Sequence, residues 1–411
     1  MVVIDAIAGT LVFPILSSFT KDLKGGEFWL PFCQAIFYFV QLFSAPYLGS
    51  LADKIGRRPV FRLASIGTLF SYVIALPLNL QAFIANRLLD GTTNGFYTAV
   101  RSSVTDLSNK KSLHQNLGIL NTLVASAFIL GPAISGVVLA LIPAGQNEAG
   151  TIIWVALGLC VVNVFVAFNI EETKPGNSNK HVVLEPQIED INNLDFAEIN
   201  LDIPANFKLR EMFPTFLKIW QTNRRLGLII LIELLKVMIQ GYYFYFLVFA
   251  QDKLNMSPRE ISSFLVYFGI LIVLAQTIYF TQIAKRVDTR KVLIFSAFSG
   301  ALVLLGYTMV SQLSGLYIIA TLDVLTLSLI GGLSQGLVGQ YSPKNLRGTV
   351  IGLIAGMSSI LTAFNFILFG ALGHLNVNLP FLWFAACAIG IGMVALKIKP
   401  EKVLKDTPIG T

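Results

Sequence analysis

Gly49-Ser50-Leu51-Ala52-Asp53-Lys54-Ile55-Gly56-Arg57-Arg58-Pro59-Val60 is a short charged segment between two long apolar runs. A segment of this kind predicts a tight loop at a membrane surface, because Gly49 and Gly56 give the backbone the freedom that a sharp turn needs. Positive charges accumulate on this segment and just after it, at Lys54, Arg57, Arg58 and Arg62. Such an accumulation is typical of a cytoplasmic loop, so the 49–60 segment sets the orientation of the spans on either side.

The composition excludes a soluble fold. Of the 411 residues, 55% are hydrophobic and 13% are charged, whereas charged residues make up about 25% of soluble domains. Runs long enough to cross a membrane, about 20 residues each, occupy 1–19, 28–48, 61–80, 82–105, 117–142, 151–170, 227–250, 258–283, 292–312, 316–340, 348–372 and 376–396. The sequence therefore predicts an all-α polytopic membrane protein with twelve transmembrane helices in two parallel repeats of six.

The net charge of +7 follows from this topology rather than from a nucleic-acid surface. Of the 30 Lys and Arg residues, seven lie in outer loops or inside spans, and the other 23 lie in predicted inner segments. Three scattered cysteines (Cys33, Cys160, Cys387) and three scattered histidines give neither a disulfide framework nor metal-ligand spacing. We expect no metal and no cofactor.

The chain divides at a polar segment, 171–226, whose middle is rich in acidic residues, Asn and Pro. This pattern predicts a six-helix bundle over 1–170, a cytoplasmic linker over 171–226, a second bundle over 227–396 and a cytoplasmic tail over 397–411. A shift of 232 positions places the 49–60 segment on 281–292, which is also basic and also joins two runs. The two bundles therefore look like repeats.

The last part of the linker has a different pattern. Aromatic and aliphatic side chains recur at helical spacing beside basic ones, at Phe213, Phe216, Leu217 and Trp220 with Arg210, Lys218, Arg224 and Arg225. This pattern suits a helix that lies on the anionic inner leaflet. A merely solvated linker is the equally open alternative.

The 49–60 segment resembles the loop between helices 2 and 3 of the major facilitator superfamily, G-x-L-a-D-[RK]-x-G-R-[RK]. Seven positions match: Gly49, Leu51, Asp53, Lys54, Gly56, Arg57 and Arg58. Other stretches resemble the drug/proton antiporters of that superfamily, particularly the tetracycline-efflux type: Asp5-Ala6-Ile7-Ala8-Gly9, Ser44-Ala45-Pro46-Tyr47-Leu48-Gly49, Arg87, Asp106 and Gly131-Pro132-Ala133-Ile134-Ser135-Gly136. In that pattern the Asp5 position lies near the middle of helix 1, so we expect half a helix upstream of this sequence.

The resemblance implies an inner gate. Asp53 is expected to pair with Arg347 and the positive N-terminus of the eleventh run, and Arg57 to meet Asp106. Proline removes a helical hydrogen bond and crowds the preceding turn. Gly131, Pro132 and Gly136 are therefore expected to kink the fifth run.

Six ionisable residues lie deep in spans, where each ion costs about 2.5–3.5 kcal/mol on insertion scales. They are Asp5, Arg87, Asp90, Glu233, Lys236 and Asp323, and they fall only in runs one, four, seven and ten. The resemblance implies that these four helices line the central cavity, with Tyr242, Tyr243, Tyr245 and Phe246 as candidate walls. The alternative is structural pairing, for example of Glu233 with Lys236, which are three residues apart on one helix face.

These observations predict a secondary transporter of the inner (plasma) membrane, monomeric, with both termini cytoplasmic. We expect proton-coupled efflux of a small organic compound. An uptake symporter for a nutrient or metal-chelate is the first alternative, and a transport-inactive receptor or scaffold that uses 171–226 is the second. An enzyme is not expected, because the G-x-S-x-G match at 332–336 lies within an apolar run instead of a strand-turn-helix elbow.

The topology gives a first testable prediction. In intact cells, a membrane-impermeant thiol reagent should leave cysteines at positions 54 and 286 unlabelled, because both positions are predicted to be cytoplasmic. A cysteine in the predicted outer segment 251–257 is the positive control. Labelling of position 54 or 286 from outside would show that the orientation is wrong.

Overall fold

The structure, a computed structural model, describes residues 1–20, 25–108, 113–143, 147–173, 211–279, 282, 287–342 and 347–398. The first set of helices comprises α1 (Val2–Leu11), α2 (Gly26–Ile55), α3 (Arg57–Ala75), α4 (Leu80–Thr93), α5 (Phe96–Leu107), α6 (Leu113–Leu141) and α7 (Glu148–Asn169). The second comprises α8 (Met212–Thr222), α9 (Arg224–Asp252), α10 (Pro258–Ile278), α11 (Thr289–Met309), α12 (Leu313–Tyr341), α13 (Arg347–Leu375) and α14 (Leu379–Lys397).

Each of the twelve predicted runs contains helix. Within the described residues, nine helices are long and apolar enough to cross a membrane. A tenth span is formed if α1 is counted together with the 3-10 helix Phe13–Phe19, which follows it at a bend of 53°. The fold class expected from the sequence, an all-α polytopic membrane protein, is confirmed.

Two local expectations were wrong. The 49–60 segment is helical through Ile55, so Gly49 lies inside α2 and Gly56 alone forms the turn, with φ of +105°. One left-handed residue is sufficient because α3 begins directly at Arg57. The fourth run is not continuous but breaks at Asn94 and Gly95, where a Cβ on Gly95 would lie 2.6 Å from the Cα of Ala45 in α2.

The chain divides into two compact units. The first contains α1 to α7 together with Tyr243–Ile270 and Ser359–Pro380, and the second contains α8, α11, α12 and the remaining parts of α9, α10, α13 and α14. In the first unit, buried apolar side chains of α2, α3 and α5 form one cluster beside the 49–60 segment, with Ala52, Val60, Phe61 and Phe96 at its centre. This cluster holds together the ends of these helices that are predicted to be cytoplasmic.

An arginine in each set of helices binds the C-terminal carbonyls of the last helix in that set. In the first set, Arg58 Nη2 donates to the Phe168 carbonyl of α7 at 3.0 Å. In the second set, Arg290 Nε and Nη2 donate to the Ala395 and Leu396 carbonyls of α14 at 2.9 and 2.8 Å. Arg290 is the residue that the shift of 232 positions places on Arg58, and a cation at a helix C-terminus is favoured in both cases. This shared contact supports the repeat.

One glycine of the predicted kink, Gly131, allows close helix packing. The α6 helix continues through Pro132 from Leu113 to Leu141, and a Cβ on Gly131 would lie 2.7 Å from the Leu11 backbone nitrogen of α1. Thr10 Oγ1 donates to the Ala127 carbonyl at 2.7 Å in the same contact. A Cβ added to Gly136 would lie 3.4 Å from the Cβ of Ser262 in α10, an ordinary contact distance. The kink itself stays a prediction.

We therefore expect Gly131→Ala to destabilise the protein by about 1–3 kcal/mol, because the added methyl group must displace the backbone of α1. Gly158→Ala in α7 is the matched control, since a Cβ there would meet nothing within 4 Å. Thermal unfolding of both purified variants measures the difference. Equal midpoints would contradict the close-packing role of Gly131.

Candidate functional site

The end of the first unit that is predicted to be cytoplasmic carries a network centred on Arg57. Arg57 pairs with Asp53 one turn before it, and its Nε donates to Asp106 Oδ2 of α5 at 3.2 Å. The Arg57 and Asp106 side chains are 8% and 19% exposed, whereas Asp53 is 67% exposed. The contact expected between Arg57 and Asp106 is therefore present. The side chain of Arg347 lies outside the described residues, so the gate contact expected for Asp53 stays a prediction.

A third carboxylate completes this network, and the sequence did not indicate it. Glu172, just after α7, accepts the backbone N–H groups of Arg57 and Arg58 at 2.8 and 3.1 Å. These are two of the unsatisfied N–H groups that open any α-helix, and they belong to α3, whose N-cap residue Gly56 has no side chain to accept them. A Cβ on Gly56 would overlap the Glu172 carboxylate. The glycine is thus required by both its φ and its neighbour.

A polar group surrounds Arg87 of α4 inside the first unit. Its Nη2 lies 3.6 Å from Asp90 Oδ2, and its Nε donates to Asn86 Oδ1 at 2.7 Å. The guanidinium also lies over the rings of Phe37 and Phe83, 5.6 and 5.2 Å from their centroids. Arg87 and Asp90 therefore form a shielded pair.

Asp5 of α1 lies buried in the same unit without a cation. Tyr97 of α5 directs its hydroxyl at Asp5 Oδ2 over 3.4 Å. Asp5 Oδ1 has no hydrogen-bond partner, and no ion pair joins Asp5 to a basic side chain among the described residues. One oxygen of this carboxylate is thus available for a proton or a ligand.

Asp323 of α12 is a buried carboxylate in the second unit, as Asp5 is in the first. It is fully buried, Tyr242 donates to Oδ1 at 2.7 Å, and Tyr307 donates to Oδ2 at 2.9 Å. The Tyr307 ring stacks on Phe381, which fixes its direction. Both oxygens thus accept hydroxyl groups, and within the described chain no basic side chain forms an ion pair with Asp323.

Glu233 and Lys236 of α9 form a buried ion pair one turn apart, as the spacing indicated. The aromatic residues proposed as cavity walls are mostly engaged in packing: Tyr243 with Phe268, Tyr245 with Phe369 and Phe246 with Phe264. Tyr242 instead binds Asp323. The six deep ionisable groups thus comprise two ion pairs and two carboxylates that are held by hydroxyl groups.

The first unit also joins the two sets of helices at the ends predicted to be outside. Arg259 of α10 pairs with Glu148 of α7 at 3.1 Å and donates to the Ile142 carbonyl at 2.8 Å. Deeper in the same unit, Tyr38 of α2 packs on Phe366 of α13 with ring centroids 5.3 Å apart. Within the second set, Lys253 donates to Asn378 at 2.9 Å.

Comparisons with known proteins agree with this architecture. The model of the family described as Major Facilitator Superfamily matches residues 1–366. Multidrug resistance protein 2 of Bacillus subtilis (strain 168) is 23% identical over 404 residues, which cover 95% of this chain and 91% of that protein. The structure of the human organic anion transporter MFSD10 has a TM-score of 0.61 at 18% identity, with 96% of each chain covered. A D-xylose-proton symporter structure has a TM-score of 0.69 at 12% identity, with 97% of each covered.

Glu172 gives the prediction for this site. Glu172→Ala should lower the unfolding free energy by about 1 kcal/mol, the usual value of a helix N-cap, because the α3 N–H groups lose their acceptor. Glu171→Ala is the matched control, being an exposed neighbouring carboxylate. Thermal unfolding of both variants gives the comparison. If both variants match the unsubstituted protein, Glu172 is not the cap of α3.

Proposed function

Because this chain belongs to the major facilitator superfamily, we propose that it exports a small organic compound in exchange for protons. Membership of the superfamily gives the coarser statement directly: the chain is a multi-pass membrane transporter of small molecules and not an enzyme. Proton coupling, direction and substrate class are parts of the proposal.

The observation that carries the proposal is the environment of Asp323. A carboxylate in the interior of a membrane protein needs a cation partner or a proton, and Asp323 has two hydroxyl donors instead of a cation. Tyrosine hydroxyl groups can either donate to an ionised carboxylate or accept from a protonated one. Asp323 can therefore gain and lose a proton without losing its partners, as a proton carrier must.

Asp5 supplies a second carboxylate of this kind, in the other unit. Its free Oδ1 atom can accept a proton or the N–H group of a substrate. In the proposed cycle, the substrate and the proton compete for these carboxylates as the transporter alternates between its two orientations. This competition couples export of the substrate to entry of the proton.

The balance of buried charges favours a cationic or neutral substrate. The cations Arg87 and Lys236 already have the carboxylate partners Asp90 and Glu233. Asp5 and Asp323 remain, and both are negative when ionised. We propose an amphipathic organic cation as the substrate, handled by a monomer in the inner (plasma) membrane with both termini cytoplasmic.

The test is a proteoliposome assay of proton flux with a lipophilic organic cation, an organic anion and a neutral compound, each added separately. The cation should drive proton flux opposite in direction to its own movement. Flux in the same direction indicates an uptake symporter. No flux with any compound indicates a receptor or scaffold, and flux with the anion alone contradicts the cation assignment.

Substitutions identify the proton carrier. Asp323→Asn and Asp5→Asn should each abolish uphill transport while substrate exchange across the membrane remains, because the amide cannot release a proton at physiological pH. Arg87→Ala should damage both activities, since it leaves Asp90 unpaired. Glu171→Gln, an exposed change of the same chemistry, is the control. Full uphill transport by both carboxylate variants would place the proton carrier elsewhere, with Glu233 the next residue to replace.

A further inference from the structure

We infer that α8 is seated in the inner leaflet of the membrane and binds its anionic phospholipid headgroups. The helix joins the linker to α9 and belongs entirely to the second unit. The inference concerns how this unit is held at the membrane, and it is independent of the transported compound.

Both ends of α8 are fixed on spanning helices by glycines. At the first end, Met212 packs on Gly356 of α13, where an added Cβ would lie 2.8 Å from the Met212 Sδ. At the other end, Trp220 packs on Gly227 of α9, where an added Cβ would lie 2.8 Å from the Trp220 Cε3. Thr215 and Ile219 form the buried face between them. The helix is thus held at a fixed level against the bundle.

That level is no farther out than the hydrocarbon boundary. The 29 residues of α13 extend about 43 Å at 1.5 Å per residue, so the helix exceeds the hydrocarbon core of about 30 Å by about 13 Å. Gly356 is the tenth residue of α13, about 13 Å from its first residue. Even if the whole excess length of α13 extended out of the hydrocarbon core at the N-terminal end of the helix, Gly356 would lie at the hydrocarbon boundary. Met212 therefore packs at the depth where interfacial helices lie.

The outward face of α8 is apolar, with basic residues at its edge. Phe213 and Leu217 are 62% and 41% exposed, and Trp220 next to them belongs to the residue type most typical of membrane interfaces. Lys218 in α8 and Arg224 at the start of α9 are both exposed. An apolar face at this depth contacts acyl chains, and flanking cations match the negative headgroups of the inner leaflet. This combination identifies the partner as an anionic lipid surface.

The test uses the full chain in vesicles of phosphatidylcholine with phosphatidylglycerol, carrying a spin label at Phe213→Cys, Leu217→Cys or Thr222→Cys. Thr222 is exposed, and it lies about 140° around the helix from Leu217, so it is the matched control. The three native cysteines are buried, and the protein without an introduced cysteine measures their background. Labels at 213 and 217 should collide with oxygen more than with a water-soluble nickel complex, and the label at 222 should show the reverse.

Charge is tested by Lys218→Gln and Arg224→Gln. With phosphatidylglycerol present, each change should raise the ratio of nickel to oxygen collisions at the 217 label about fivefold, and the difference should disappear in pure phosphatidylcholine. Nickel collisions at 217 equal to those at 222 would show that α8 is solvated and would overturn the inference. Protection of 213 and 217 from both reagents would also overturn it, because the face would then be covered by protein. Equal oxygen contact with and without phosphatidylglycerol would exclude the anionic partner.

Discussion

The cost of an ion in hydrocarbon, about 2.5–3.5 kcal/mol on insertion scales, determines how the interior of this protein is built. Arg87 with Asp90 and Lys236 with Glu233 reduce that cost by pairing within one helix turn. Asp5 and Asp323 have hydroxyl donors instead. Pairs formed within one turn depend little on the rest of the molecule. Under the proposed function, the charge state of the other two carboxylates would change when a proton or a substrate binds, which is the property that coupled transport needs.

The sequence was informative wherever the physical cause is local. Apolar length predicted where helices lie, residue spacing predicted the pairing of Glu233 with Lys236, and the motif predicted Gly56 at the turn. Glu172 escaped prediction because it is 115 residues from Arg57 in the chain and no periodic pattern marks it. The break at Asn94 and Gly95 escaped for a similar reason, since it depends on the close approach of α2.

The two sets of helices share one stabilising contact at a helix end and differ in another. In both sets an arginine binds the carbonyls at the end of the last helix. The helix that follows the basic segment is capped differently, because Asp288 caps α11 from its own N-cap position, whereas α3 depends on Glu172 from beyond α7. Replacing a local cap by a distant one ties α3 to α7. The cap therefore also joins these two helices, at the end of the first set that is predicted to be cytoplasmic.

The strength of each contact fits the movement that the proposed function requires. Contacts to backbone groups within one set, such as those of Arg290 and Glu172, need not break when the sets separate. Between the sets at the predicted outer surface, Arg259 and Glu148 form an ion pair whose side chains are 35% and 19% exposed. A pair with this exposure is worth about 1 kcal/mol or less. Under the proposed function, this ion pair would break at low cost while the contacts within each set remain.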